Sequence, residues 1–170
     1  MTRVRVGFGL GSNIGDKPDN IRGALRMLAA RGVARLEAVS RIYRTPPWGV
    51  LDQGDFANAC AIGTTTLAPY ALLAAVKTIE ADMGRAPSRR WGPRLIDVDI
   101  LFYGEVRLDD PDLALPHREL FRRGFVLAPL AEIAPDLVLD GVRVAEAAQK
   151  ADLTGLRPWD EDEAPHQQPE

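Results

Sequence analysis

Asp97 and Asp99 stand two apart in Leu95-Ile96-Asp97-Val98-Asp99-Ile100-Leu101-Phe102-Tyr103, an apolar run that reads as a central strand. Strand alternation turns both carboxylates to one face, their Cα atoms roughly 6.8 Å apart, and Ile96, Val98 and Ile100 to the other. A carboxylate in so apolar a setting needs a cation, because burying it unpaired is costly. Two parallel carboxylates suit Mg²⁺, which takes oxygen ligands octahedrally and completes its shell with water and substrate phosphates. Plain salt bridges to arginine would also satisfy such a pair. The ten residues from Arg85 to Arg94 decide between them: they hold Arg85, Arg89, Arg90 and Arg94 and no acid, more positive charge than two aspartates can use. Arginine forks match phosphate oxygens, whereas a carboxylate pair repels phosphate unless a metal intervenes. Carboxylates, magnesium and arginines together describe a polyphosphate site, and His117-Arg118 with Arg122-Arg123 could form its far side.

Other devices for handling nucleotides are missing. Gly9-Leu10-Gly11-Ser12-Asn13-Ile14-Gly15 has its third glycine one residue late for a dinucleotide fingerprint, and no segment matches a Walker A loop. No Ser-His-Asp pattern is present. Cys60, the single cysteine, falls in an extended segment and reads as a buried, inert thiol.

The elements that must position these residues follow from periodicity. Val4, Val6, Phe8 and Leu10 alternate with Arg3, Arg5, Gly7 and Gly9, as in a half-buried strand. Helical spacing of Ile21, Ala24, Leu25 and Leu28, with Pro18 early and Gly32 after it, predicts a helix over 16–31. A second strand is expected at 38–44, closed by Thr45-Pro46-Pro47, and a third at 56–65. Thr66 can cap a helix that starts near Pro69, buries Leu72, Val76, Ile79 and Met83, and ends at Gly84. After the strand carrying the aspartates, Asp140-Gly141 marks a hairpin within 137–144. The order β, α, β, β, α, β suggests an α+β sandwich with helices on one face of a mainly antiparallel sheet.

At 170 residues the chain fits one domain, read as residues 1–151, followed by a flexible acidic tail at 152–170. That tail holds six acids and one base, so the net charge of -3 masks a body of net +2. Its prolines, Gln pair and scarcity of apolar residues are those of a solvated end. One cysteine excludes a disulfide framework, and neither a leader pattern nor a membrane-length apolar run is seen, which points to the cytoplasm.

Tyr43-Arg44-Thr45-Pro46-Pro47, Phe56-Ala57-Asn58-Ala59, Arg90-Trp91-Gly92-Pro93-Arg94 running into Asp97-Val98-Asp99, Pro116-His117 and Arg123-Gly124-Phe125 follow one another in this order. Together they resemble the 6-hydroxymethyl-7,8-dihydropterin pyrophosphokinase family of folate biosynthesis over about residues 4–144. The resemblance implies a ferredoxin-like βαββαβ sandwich with helices packed on the faces of its sheet. It also implies Mg-dependent transfer of pyrophosphate from ATP to the pterin hydroxymethyl group, with release of AMP. Asp97 and Asp99 would then hold two Mg²⁺ ions bound with ATP, and Arg85 and Arg94 would be the catalytic arginines. Glu80, Trp91, Arg94, Ile100, His117, Arg118 and Arg123 would bind ATP. Phe56 and Phe125 would sandwich the pterin, with Asn58 on its amide edge and Thr45, Pro46, Pro47 and Trp48 completing the pocket. A monomer is expected, with neither nucleic acid nor membrane as partner. A two-metal phosphohydrolase and a ferredoxin-like RNA-binding module are the competing readings, the second lacking the aromatic pattern such sheets use for stacking bases.

Overall fold

In the computed structural model, which describes residues 2–46, 54–84 and 95–159, the first alternating segment is strand β1 (Val4–Ser12). Helix α1 (Lys17–Ala30) starts where the Asp16 carboxylate accepts a hydrogen bond from the Asp19 N–H at 3.2 Å, and Gly32 follows it at φ +70°. Strands β2 (Arg35–Val39), β3 (Tyr43–Thr45) and β4 (Phe56–Thr65) come next, then α2 (Pro69–Met83) and β5 (Asp97–Tyr103). The second expected strand is split in two. Both halves pair with β4, and Ser40 between them bonds Cys60 through its own N–H and through its hydroxyl, which accepts the Cys60 N–H. Thr66 does not cap α2; Ala68 occupies the cap position without a side-chain bond, and Pro69 opens the helix.

The short pair β6 (Leu108–Asp109) and β7 (Ala114–Leu115) precedes a 3₁₀ turn at Leu120–Arg122 and helix α3 (Gly124–Ile133). Hairpin β8 (Val138–Leu139) and β9 (Val142–Arg143) turns through Asp140 at φ 52° and Gly141 at φ 76°, as Asp-Gly predicts. Helix α4 (Val144–Lys150) and strand β10 (Arg157–Pro158) complete the described chain.

The main sheet runs β10-β3-β4-β1-β5 with antiparallel neighbours, β2 also pairing with β4. Counting β2 and β3 as one interrupted strand, this is the ferredoxin-like βαββαβ order. Two cores flank it. Phe8 and Leu10 meet Ile21 and Leu28 of α1 and Leu72 and Ile79 of α2 on one side. On the other side Cys60, Ile62, Leu101 and Phe102 meet Leu127 and Leu130 of α3. Helices therefore cover both faces, correcting the one-face arrangement, and β1 is buried on both sides rather than half-buried.

Gly7, Gly9 and Gly11 of β1 lie toward the second layer. A Cβ at Gly7 would overlap the Phe102 ring, which is 2% exposed and enclosed by core. Gly7→Ala should cost about 1–3 kcal/mol, measured as a lower urea midpoint at unchanged m-value. An unshifted midpoint would mean that the ring has room to move.

The described part of the tail expected from Asp152 onward is largely exposed but ends in a strand on the main sheet. Strand β10 pairs Arg157 with Arg44 and Pro158 with Tyr43, and the Trp159 N–H donates to the Ile42 carbonyl at 2.7 Å. Among the described residues, no helix is long and apolar enough to cross a membrane.

Candidate active site

A bulge in β5 controls which side chains face the site. Gly7 pairs with Phe102 and Phe8 with Ile100, leaving Leu101 as the extra residue. Beyond the bulge Leu101 and Phe102 both enter the second core; before it, Val98 and Ile100 pack into the first. Asp97 and Asp99 are thereby turned toward the opposite side, where both line a cavity of about 750 Å³.

The floor of this cavity is bare backbone. Gly11 pairs with Asn58 on one side and Asp97 on the other, and a Cβ on it would sit 3.1 Å from Asn58 Oδ1. Asn58 and Asp97 are thus two strand spacings apart, roughly 9.5 Å, across a residue with no side chain. Asn58 is 8% exposed, and its Nδ2 donates to Thr45 Oγ1 at 3.0 Å. That bond orients the carboxamide and leaves Oδ1 and a second N–H for a ligand. Phe56, at the start of β4, and Phe125, at the start of α3, line the same cavity, as do Thr45, Arg122 and Arg123. Arg123 carries its guanidinium 5.7 Å from the Phe125 ring centre.

A smaller cavity of about 300 Å³ lies beside it, lined by Lys77, Ile100, His117, Arg118 and also Asp99. Asp99 is therefore shared by both spaces. His117 holds its Nε2 3.9 Å from Asp99 Oδ2, and its Nδ1 accepts the Glu119 N–H at 3.1 Å. An accepting Nδ1 assigns the ring proton to Nε2, the nitrogen facing Asp99. Burial pushes the imidazole below its ordinary pKa and Arg123 adds to this, against the opposing pull of Asp99.

Glu80 reaches from α2 to β5, where its carboxylate accepts the Val98 N–H at 2.6 Å, between the two aspartates. Burial raises its pKa, opposed by that hydrogen bond and by Lys77, whose ammonium lies 3.4 Å away. Arg118 donates to Asp109 Oδ1 at 3.0 Å and to the Asp110 carbonyl at 2.8 Å. Ile100 buries its side chain in the first core while edging the smaller cavity. Pro46 is exposed and outside both cavities, and Arg123 stands with Phe125 in the larger one rather than with His117 in the smaller. Pro47, Trp48, Arg85, Trp91 and Arg94 lie outside the described residues. Cys60 is buried with its thiol pKa pushed far up by desolvation, in keeping with an inert role.

The sequence reading gave Gly11 no part in the site, while Arg122, placed with Arg123 on the far side of a polyphosphate site, does line the larger cavity. The alternation of Gly7, Gly9 and Gly11 was the available signal for a floor without side chains. Among the described residues no group of three or more His, Cys, Asp or Glu gathers to hold a metal, so a closed protein cage is not offered there. Two carboxylates on the wall of the larger cavity, one of them shared with the smaller, instead match an ion that shares its shell with phosphate and water.

Comparison with known proteins gives a consistent picture. A family model described as 7,8-dihydro-6-hydroxymethylpterin-pyrophosphokinase (HPPK) matches residues 7–135. The 2-amino-4-hydroxy-6-hydroxymethyldihydropteridine pyrophosphokinase of Methylorubrum extorquens is 51% identical over 156 residues, 92% of this chain and 98% of that protein. The protein of the same name from Pseudomonas aeruginosa is 43% identical over 153 residues, covering 89% and 94%. Among solved structures, wild-type Plasmodium falciparum HPPK-DHPS with pteroate superposes at a TM-score of 0.70 and 14% identity, over 88% of this chain and 42% of that one. At that identity the likeness establishes the fold.

Proposed function

This chain belongs to the 7,8-dihydro-6-hydroxymethylpterin-pyrophosphokinase family, and from that membership we propose how its two cavities divide the reaction. It is an enzyme that transfers pyrophosphate from ATP to the hydroxymethyl group of 6-hydroxymethyl-7,8-dihydropterin, giving the pterin diphosphate and AMP, in folate biosynthesis. The observation that carries the division is Asp99, which lines both spaces. The larger takes the pterin, stacked on Phe56 and Phe125 with Asn58 and Thr45 at its amide edge, and with Pro47 and Trp48 proposed as further pterin contacts. Each aromatic stack contributes roughly 0.5–1.5 kcal/mol beyond area burial. The smaller takes the nucleoside end of ATP, against Ile100, His117 and Arg118, with Glu80 and Trp91 proposed as further nucleotide contacts.

Asp97 and Asp99 would hold two Mg²⁺ ions, whose chemistry is to draw charge from the phosphate oxygens and hold the chain of phosphates in line. His117, neutral and protonated on Nε2, donates to the nucleotide. Arg123 approaches from the pterin side, where its charge meets the terminal phosphates. The pterin hydroxyl oxygen bonds to Pβ, its proton passing to solvent, as the bond from Pβ to the α,β-bridging oxygen breaks, and AMP leaves with that electron pair. Arg85 and Arg94 stabilise the charge in flight, a role that contributes on the order of 10³–10⁵ in other phosphoryl transfers. The proposal includes a cytoplasmic monomer with no nucleic acid or membrane partner; one buried cysteine, offering no disulfide, supports the reducing compartment.

Incubation with ATP, Mg²⁺ and the pterin should yield AMP and pterin diphosphate in equal amounts, followed by chromatography of the nucleotides. ADP as sole product, or phosphate release without pterin, would overturn the reading in favour of a hydrolase.

A further inference from the structure

Eight residues at the end of the described chain contact the immediate chain neighbours of residues that line the larger cavity, on both of its sides, without lining it themselves. We propose that Asp152–Trp159 is a positioning strap that fixes the pterin slot, with Trp159 acting through Arg44. The inference rests on the assignment of the larger cavity to the pterin.

At its first end the strap lies against Gly124. A Cβ on that glycine would stand 2.6 Å from the Asp152 carbonyl oxygen and 2.7 Å from Leu153 Cδ2, so only glycine admits so close an approach. Gly124 joins Arg123 to Phe125, both of which line the cavity. At its second end, Gly155 adopts φ +81° and abuts Pro46, where a Cβ would lie 2.8 Å from Pro46 Cγ. Arg157 and Pro158 pair with Arg44 and Tyr43. Pro46 and Arg44 flank Thr45, whose hydroxyl orients Asn58. The strap is also tied within itself: Asp152 Oδ1 accepts from the Thr154 N–H at 3.0 Å and its hydroxyl at 2.6 Å, and the Leu156 N–H donates to the Leu153 carbonyl at 3.0 Å.

Trp159 extends this support to the Phe56 side. Its ring stacks 4.0 Å from the Arg44 guanidinium, whose Nε lies 3.5 Å from Asp55 Oδ2. Asp55 immediately precedes Phe56, and its carbonyl accepts from Lys17 Nζ at 2.6 Å. Strand β3 is three residues long, with β4 inside and only the two-residue β10 outside. A slot for a flat ring is sensitive to displacements of ~0.5 Å in either wall, so an element that ties both walls together governs affinity for the ring. Neither end of the strap lines the smaller cavity.

Steady-state kinetics of the full chain separate this role from general support. Trp159→Ala should raise KM for the pterin about tenfold while kcat and KM for ATP stay within about twofold. Trp159→Phe, which keeps an aromatic face over Arg44, should restore the parent value. Should Trp159→Ala fail to fold, Gly155→Ala, strained at positive φ and crowded by Pro46, should give the same split. An unchanged pterin KM, or an equal rise in both KM values without rescue by phenylalanine, would overturn the proposal. A parent enzyme that makes no AMP would instead overturn the assignment of the cavity, so the two failures are distinct.

Discussion

Alanine at Asp97 or at Asp99 should reduce pterin-dependent AMP formation by at least about 10³-fold, with the circular dichroism spectrum and melting midpoint close to the parent's. The expected loss is large because a bound divalent ion is worth several kcal/mol of transition-state charge stabilisation, and ~4 kcal/mol is already a thousandfold. Without the ions, the aspartate that remains also repels the phosphates it formerly helped to hold. The fold should survive, since Asp97 is exposed and the Asp99 side chain retains 45% of its accessible surface, so truncation opens no core cavity. The neighbouring His117 stands 3.9 Å from Asp99, too far for a hydrogen bond, and stays anchored through Nδ1. A kcat within tenfold of the parent in either variant would refute the metal assignment.

Asn58→Ala should lower kcat/KM for the pterin by about 10²–10³ while leaving KM for ATP unchanged. Two losses combine. The pterin amide edge loses both a donor and an acceptor, and sites built to hydrogen-bond a ligand discriminate steeply when that pairing fails. Thr45, itself buried, loses the Nδ2 donor at 3.0 Å, and a buried group left unpaired costs about 1–3 kcal/mol. The effect should be confined to one substrate because Asn58 lines only the larger cavity. Equal increases in both KM values would show that the residue supports the sheet rather than the ligand.

Much of this arrangement could be read from residue order because local rules and global packing agree. Strand β1, helix α1 and the Asp140-Gly141 hairpin each follow from periodicity, capping or turn chemistry acting over a few residues. Helix α3 could not be found this way. It is apolar around most of its surface and contains Pro129, so no stripe distinguishes it, and its reason for being helical is the sheet face it covers. The break between β2 and β3 depends on a bond between Ser40 and Cys60, twenty residues apart. Strand β10 hides in a tail-like composition because two residues carry no period. Thr66 has the right chemistry for a cap, but it is Thr65 whose hydroxyl donates to the Val33 carbonyl at 2.7 Å and accepts the Leu67 N–H.

The site divides along the same line. Asp97 and Asp99 were legible because a period of two is a property of one strand. Gly11 as floor between Asn58 and Asp97 was not, since it depends on the register of three strands. The company kept by Arg123 is also long-range information: an aromatic neighbour two residues away and the closing of α3 over the sheet take it into the larger cavity.

The carboxylate of Glu80 on the Val98 N–H has a second consequence, for how these molecules behave when concentrated. Strand β5 is the last of its sheet, and an outermost strand with free N–H groups invites another chain to add to it. At Val98 that hydrogen is already taken by a side chain from α2. At the opposite end of the same strand order, Pro158 in β10 has no N–H to give. Both ends of the ladder are thus blunted against edge-to-edge aggregation, one by an acceptor drawn from within the fold and the other by an imino acid.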